Sequence, residues 1–244
     1  MNKPWLRWLL WLQCVLLLVM VAGMLANKLE VVEFRLAFMT FVRALQAVML
    51  VTAIGFIGLL FVWWKKYRAS IKPALYTVLL GGLPVVFVFA LVGQGLKVPA
   101  IHNISTDLDN PPEFRYAYQN RQEGLNSLDA PADEVRQKQR AYYGDTVKSL
   151  VLDLSPDAAF DLALNAARGL NFTITDVDKA AGRIEAIEET LFFGFKDDLV
   201  VRVAASDQGS VIDVRSVSRV GMSDLGANAK RINKLLQAIV EDMQ

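Results

Sequence analysis

Apolar and polar positions follow two regimes along the chain. Up to about residue 96 the apolar residues come in unbroken runs, and beyond it they recur at short, regular intervals. Three runs carry no charged residue: 8–27 between Arg7 and Lys28, 44–64 between Arg43 and Lys65, and 73–96 between Lys72 and Lys97, of 20, 21 and 24 residues. About 20 apolar residues in a helix cross a hydrocarbon core about 30 Å thick, so each run predicts a transmembrane helix. The 28–43 segment is also dense in apolar residues, Leu29 to Val42, and is expected to lie in the interface or to prolong the second helix. Gly81, Gly82 and Pro84 predict a kink in the third helix.

After Lys97 the pattern changes. An irregular arm bearing Pro99, Pro111, Pro112 and Pro131 runs to about 144, with one short helix expected at 131–143. It holds four of the six tyrosines, Tyr116, Tyr118, Tyr142 and Tyr143, as packing residues or as a ligand surface. From 145 onward Val147–Asp153 reads as a strand, and Ser155-Pro156-Asp157 opens a helix with the stripe Phe160, Ala163, Leu164, Ala167, ended by Gly169. Phe172–Asp178 and Gly182–Thr190 alternate around one turn, and Leu199–Ala205 and Ser210–Val220 around Ser206–Gly209. A last helix starts near Ser223-Asp224 and carries Leu225, Ala229, Ile232, Leu236, Ile239 and Met243. The expected architecture is therefore a three-helix transmembrane anchor plus a two-layer α+β domain, an antiparallel sheet of about five strands in the order β-α-β-β-β-β-α. That order is similar to TATA-binding-protein-like folds. Its parts are a membrane region 1–96, an arm 97–144 and a soluble domain 145–244.

Charge sharpens this division. The chain has 26 Lys+Arg and 25 Asp+Glu, but residues 1–96 hold nine basic and two acidic residues, while 97–244 hold seventeen and twenty-three. The anchor is thus net +7 and the remainder net −6. The 65–72 loop has four basic and no acidic residues, and Lys3 and Arg7 precede the first helix, so these segments are expected on the cytoplasmic side. Trp5, Trp8, Trp11, Trp63 and Trp64 fall at the ends this orientation places at that interface. Three crossings are then expected to deliver residue 97 onward to the far side of the membrane. Lys3 and Arg7 would also suit a cleaved signal peptide, but the apolar run is too long for one, which favours an uncleaved anchor. None of the three runs contains an Asp, Glu, Lys, Arg or His, which argues against a transporter or channel. Cys14 is alone, excluding a disulfide scaffold or a Cys-based metal site. A domain of net −6 is a poor nucleic-acid binder.

Three ordered motifs carry a resemblance: His102-x-x-x-x-Asp-x-Asp-Asn-Pro-Pro-x-Phe114, Glu188-x-x-x-Phe-Phe-Gly-Phe-x-Asp-Asp198, and the run Asp213 to Ile232. Over roughly 100–240 the chain resembles the domain of unknown function 1499 family, and its anchor resembles that of the Gram-negative members. The resemblance implies no established activity and supplies no catalytic residue.

Candidate chemistry clusters near the last strand. Val211, Asp213, Arg215, Val217 and Arg219 share one face of it. If helices cover the other face, this one is open and charged, with Arg202, Arg183, Glu185 and Glu189 joining it. Cross-strand ion pairs are one reading. The other is an anion site of Arg219, the Ser223 hydroxyl and the first amides of the last helix. Asp224 competes for that same positive end. Arg215, Arg219, Ser223 and Arg231 form the candidate ligand-binding set. His102 and Asp224 are weak catalytic candidates, because a His needs a partner that the sequence does not place. Asp107-x-Asp109-Asn110 resembles the opening of a calcium loop, but Pro112 and Tyr118 stand where Gly and Glu would be required, so no metal is expected. Phe192, Phe193 and Phe195 are either core or a surface that docks on lipid or a partner. No cofactor motif is present. The expectation is a multi-pass inner-membrane protein that binds an envelope protein, lipid or glycan without catalysis. The alternatives are a hydrolase or transferase acting on an anionic envelope substrate, and a structural scaffold.

Overall fold

A computed structural model describes residues 3–122, 124–191 and 193–243. The chain divides into two compact units, Met1–Gly93 with Leu191–Gly194, and Gln94–Thr190 with Phe195–Gln244.

The first unit is built on α1 (Trp5–Lys28), α2 (Phe34–Trp64) and α3 (Arg68–Gly95, whose last two residues count with the second unit). All three are long and apolar enough to cross a membrane. Only 17%, 28% and 11% of their most apolar stretches is buried within the protein, so most of that surface requires an apolar solvent. The protein is membrane-associated. Residues 34–43 prolong α2 to 31 residues, roughly 46 Å at 1.5 Å per residue and longer than the hydrocarbon core. Leu6, Val62 and Ala74, one from each helix, make the buried centre. Small residues allow the close approach that lipid-facing helices need: Gly23 lies against the Ala37 carbonyl, Gly55 against Thr77, and Gly58 against Trp5 and Leu6. Residues 191–194 belong here because Phe193 packs edge-on against Phe34, Phe38 and Phe41, at 6.4, 5.8 and 5.4 Å between ring centroids. Asn27 Nδ2 and Lys28 Nζ donate to the Phe193 and Leu191 carbonyls at 2.6 and 2.7 Å.

The second unit contains, in chain order, β1 (Asn103–Ser105), α4 (Tyr116–Asn120), α5 (Asp133–Tyr143), β2 (Leu150–Leu152), α6 (Pro156–Gly169), β3 (Thr173–Asp178), β4 (Arg183–Glu189), β5 (Lys196–Ser206), β6 (Gly209–Ser218) and α7 (Ala227–Glu241). All strand pairs are antiparallel, in the spatial order β1-β6-β5-β4-β3, with β2 also on β6. The architecture is two-layer α+β with six strands. The additional strand is β1, whose three residues are too few to show an alternating pattern. Gly209, at φ +110°, permits the tight β5–β6 turn beside the Leu152 carbonyl.

β1 and β2 share one edge of β6. β1 lies opposite 215–217 and β2 opposite 210–212, so together they form one edge strand interrupted by residues 106–149. Asp213 sits at the interruption and accepts the Thr106 and Ser149 hydroxyls at 3.0 and 2.5 Å. α6 and α7 cover one face of the sheet, where Phe160, Ala163, Ile232, Leu235 and Ile239 meet Ile184, Leu199, Val201, Ile212 and Val214. The opposite face is not open, as the helix pattern alone suggested. The interrupting arm crosses it, and Phe114, Ala117 and Leu128 pack on Val200 and Val217.

Candidate functional site

Alternation along β6 sends Asp213, Arg215, Val217 and Arg219 toward the arm and Ile212, Val214, Ser216 and Ser218 toward the helices. On the arm face the polar side chains hold the arm in place. Glu185 of β4, almost fully buried, accepts the backbone N–H groups of Arg115, Tyr116 and Ala117 at 2.6, 2.9 and 2.9 Å. These are orphan donors at the start of α4, so the carboxylate acts as a tertiary cap, with Arg183 Nε 3.3 Å away. Arg202 of β5 donates to the Asn110 carbonyl and to Asp107 and Asp213, at 2.9, 2.9 and 2.7 Å.

Arg215 is the largest fully buried side chain among the described residues. Its guanidinium donates to Asn103 Oδ1 (3.0 Å) and to the carbonyls of Pro112 (3.2 Å), Leu128 (2.8 Å) and Asp129 (2.5 Å), and lies over the Phe114 ring. Four acceptors are neutral groups or backbone, and among the described residues no carboxylate reaches it within ion-pair distance. Burial pushes its pKa down to about 10, against the opposing pull of Asp129 and Glu113. Above it opens a cavity of about 340 Å³ lined by Asp109, Asn110, Pro111, Glu113, Phe114, Tyr118, Leu128, Asp129, Ala130 and Arg215. Two aromatic rings, three carboxylates and one guanidinium thus converge on one concave site. The Ser127 hydroxyl, and then the Tyr118 hydroxyl at 3.2 Å, hold the Asp129 carboxyl below its ordinary pKa.

The other candidates lie elsewhere. Arg219 makes a bidentate fork on Asp198, at 3.0 and 2.8 Å. Arg231 is buried between α7 and the sheet, bonded to Glu188, Asn228, Ser216 (2.9 Å) and Asp197 (2.6 Å). Ser223 Oγ accepts from the Leu225 amide at 3.2 Å. Asp224 accepts from the Gly226 and Asn228 amides at 2.8 and 2.9 Å, occupying the α7 N-terminus that an external anion would need. Burial holds its carboxyl above the ordinary range, while the two amides oppose the shift. His102 contributes its carbonyl, which accepts from the Ser218 amide and Asn228 Nδ2 at 2.9 and 3.0 Å. None of Arg219, Ser223, Asp224, Arg231 and His102 lines the cavity. Of the Phe loop, Phe193 is spent on the chain's own helix α2, Phe192 falls outside the described residues, and Phe195 is half-buried with its amide donating to Thr190 Oγ1 at 2.8 Å. Among the described residues no three His, Cys, Asp or Glu side chains come together as metal ligands.

Glu113, Phe114, Tyr118 and Asp129 were not singled out as site residues by sequence reasoning. The only signal was the density of Tyr and Pro in the arm, which favoured packing over a ligand surface for Tyr118.

No curated protein matches the chain. The sequence model of one family matches residues 103–239, more than half of the chain and the whole interval from β1 to the last turns of α7. The chain therefore belongs to the family described as Protein of unknown function (DUF1499).

Proposed function

We propose that the protein is a multi-pass protein of the bacterial inner membrane, with a cytoplasmic N-terminus and a periplasmic C-terminal domain that binds an envelope glycan without transforming it. In this reading 1–96 is the membrane region, and the arm 97–144 completes the binding surface of 145–244. The orientation is supported by the four basic residues at 65–72 and the tryptophans flanking the first two helices. The observation that carries the binding reading is the cavity over Arg215. Its volume falls in the range of small-molecule sites, about 300–1,000 Å³. Phe114 and Tyr118 offer ring surface for the C–H face of a sugar, and Asp109, Glu113 and Asp129 offer acceptors for its hydroxyls. A free anion is disfavoured by those three carboxylates.

Two experiments test the reading. Calorimetric titration of the detergent-purified chain with amino-sugar oligosaccharides from the envelope should show saturable binding that Tyr118→Ala and Glu113→Ala weaken at least tenfold. Absence of binding by the wild-type chain to any envelope glycan would discard the ligand class. A phosphatase that requires the periplasm, fused after Gln244, should be active; an inactive fusion in a stable protein would discard the topology.

A further inference from the structure

The end of the first unit where α1 and α3 begin and α2 ends carries a charge that the protein does not balance. Lys3, Arg7, Lys65, Lys66, Arg68 and Lys72 gather there, and among the described residues none of them is paired with a carboxylate. The Lys3 amide donates to Ser70 Oγ at 2.9 Å and Lys3 Nζ lies 5.2 Å from the centre of the Tyr67 ring, which joins the two helix starts. Neither α1 nor α3 has an acidic residue in its first turn, so these cations add to the positive helix ends instead of offsetting them. Glu30 and Glu33, the acidic residues of 1–96, lie in the α1–α2 connection at the other end.

The α2–α3 connection is shaped as well as charged. The Lys66 and Tyr67 amides donate to the Trp63 and Val62 carbonyls at 3.1 and 2.8 Å, closing α2 in a Schellman motif with Lys66 at φ +59°. That left-handed position ordinarily belongs to glycine, because a side chain there is strained. Here it holds a lysine beside a cavity of about 540 Å³ lined by Trp63, Trp64, Lys66, Arg68 and Ile71. The indoles are 71% and 69% exposed at the end of a helix able to cross a membrane, the level at which headgroups lie. Membrane orientation alone accounts for a basic loop. It does not account for a lysine in the left-handed position or for a cavity with two cations and no carboxylate.

We propose that this cavity binds the headgroup of an anionic phospholipid, with Arg68 and Lys66 on the phosphate and Trp63, Trp64 and Ile71 against the glycerol and first acyl carbons. The Arg68 fork matches phosphate oxygens and Lys66 adds a point charge. A zwitterionic lipid is disfavoured because the lining offers no carboxylate to its cation. The occupant is a lipid and not a free ion, because the cavity borders helices whose outer surface already requires an apolar solvent for the acyl chains. The site lies wholly in the first unit, so it stands or falls independently of glycan binding, and it serves in whichever leaflet the loop faces.

The test titrates the full chain in neutral detergent with phosphatidylglycerol or phosphatidylcholine and follows thermal unfolding by tryptophan emission, since all five tryptophans lie in the first unit. Phosphatidylglycerol should raise the wild-type midpoint saturably, as a ligand of the folded state does, and phosphatidylcholine should not. Lys66→Gln combined with Arg68→Gln should require about tenfold more phosphatidylglycerol for half the effect. Arg7→Gln combined with Lys72→Gln removes the same charge from the same end without touching the cavity lining, and should respond as wild type. Lys66→Gly keeps the left-handed turn without strain, so a lipid-free midpoint at or above wild type with a weakened response separates lost binding from lost folding. Equal protection by the two lipids, or by inorganic phosphate at the same concentration, would overturn the proposal. An equal loss of response in the two paired variants would also overturn it, because it would mark diffuse attraction and not a site.

Discussion

The two faces of the sheet in the second unit are made by the same strands and solved by different means. On one face Ile184, Leu199, Val201, Ile212 and Val214 meet the stripes of α6 and α7 in a continuous apolar core. On the other, the apolar patch is limited to Phe114, Ala117, Leu128, Val200 and Val217, and the arm is held by Glu185, Arg202, Asp213 and Arg215. Apolar burial is tolerant of small displacements, whereas hydrogen bonds from a buried guanidinium or carboxylate fix position within a few tenths of an ångström. The helix face therefore carries stability, and the arm face carries a shaped, polar cavity.

This contrast breaks most readily on the helix face. Phe160→Ala removes a fully buried ring and should destabilise the second unit by about 3–5 kcal/mol in denaturant unfolding, with loss of protection across all its strands. On the arm face Glu185→Ala should cost somewhat less, about 2–4 kcal/mol, because it strands three backbone donors. The readout separates the two: hydrogen exchange at Arg115, Tyr116 and Ala117 should accelerate in Glu185→Ala while β5 and β6 stay protected. Global loss of protection in that variant would mean that the arm is part of the core and not a cover fixed onto it.

A smaller effect lies where α7 begins. Burial raises the Asp224 pKa above its unfolded value, so the protonated form is favoured in the folded state. Its contribution to stability is present below the unfolded pKa and is lost as pH rises through the raised folded pKa. Asp224→Asn keeps a capping oxygen and should flatten that part of the stability profile, leaving the variant equal to or more stable than wild type at neutral pH. A steeper profile in the variant would contradict the assignment.

How far the fold could be read from residues follows from distance along the chain. The three apolar runs, the Ser155-Pro156 helix start and the β5–β6 hairpin rest on neighbours within a few residues, and each appears where its pattern placed it. Ser155 Oγ does accept the Ala158 amide. α7 begins at Ala227, later than Ser223-Asp224 suggests, because Leu225 and Gly226 turn through positive φ (52° and 83°) before Asp224 caps the helix. The arm was illegible for a different reason. Arg215 meets Pro112, 103 positions away, and Glu185 meets Tyr116, 69 positions away, so neither pairing leaves a local pattern. A charged β6 face looked like an open surface because nothing near it in sequence announces its cover. Arg231 was hidden similarly: its position on α7 reads as polar, yet Asp197 and Glu188 from two strands enclose it.

The smallest expected effect on folding is also the most informative for function. Tyr118 is exposed and should contribute less than about 0.5 kcal/mol to stability, while shaping the mouth of the cavity. The decisive measurement is hydrogen exchange of the full chain with and without a bound amino-sugar oligosaccharide, in wild type and in Tyr118→Ala. The account predicts ligand-dependent protection confined to residues 109–118 and 128–130 in wild type and lost in Tyr118→Ala. Protection that falls elsewhere, or that persists unchanged in Tyr118→Ala, would contradict the assignment of the arm-face cavity as the binding site.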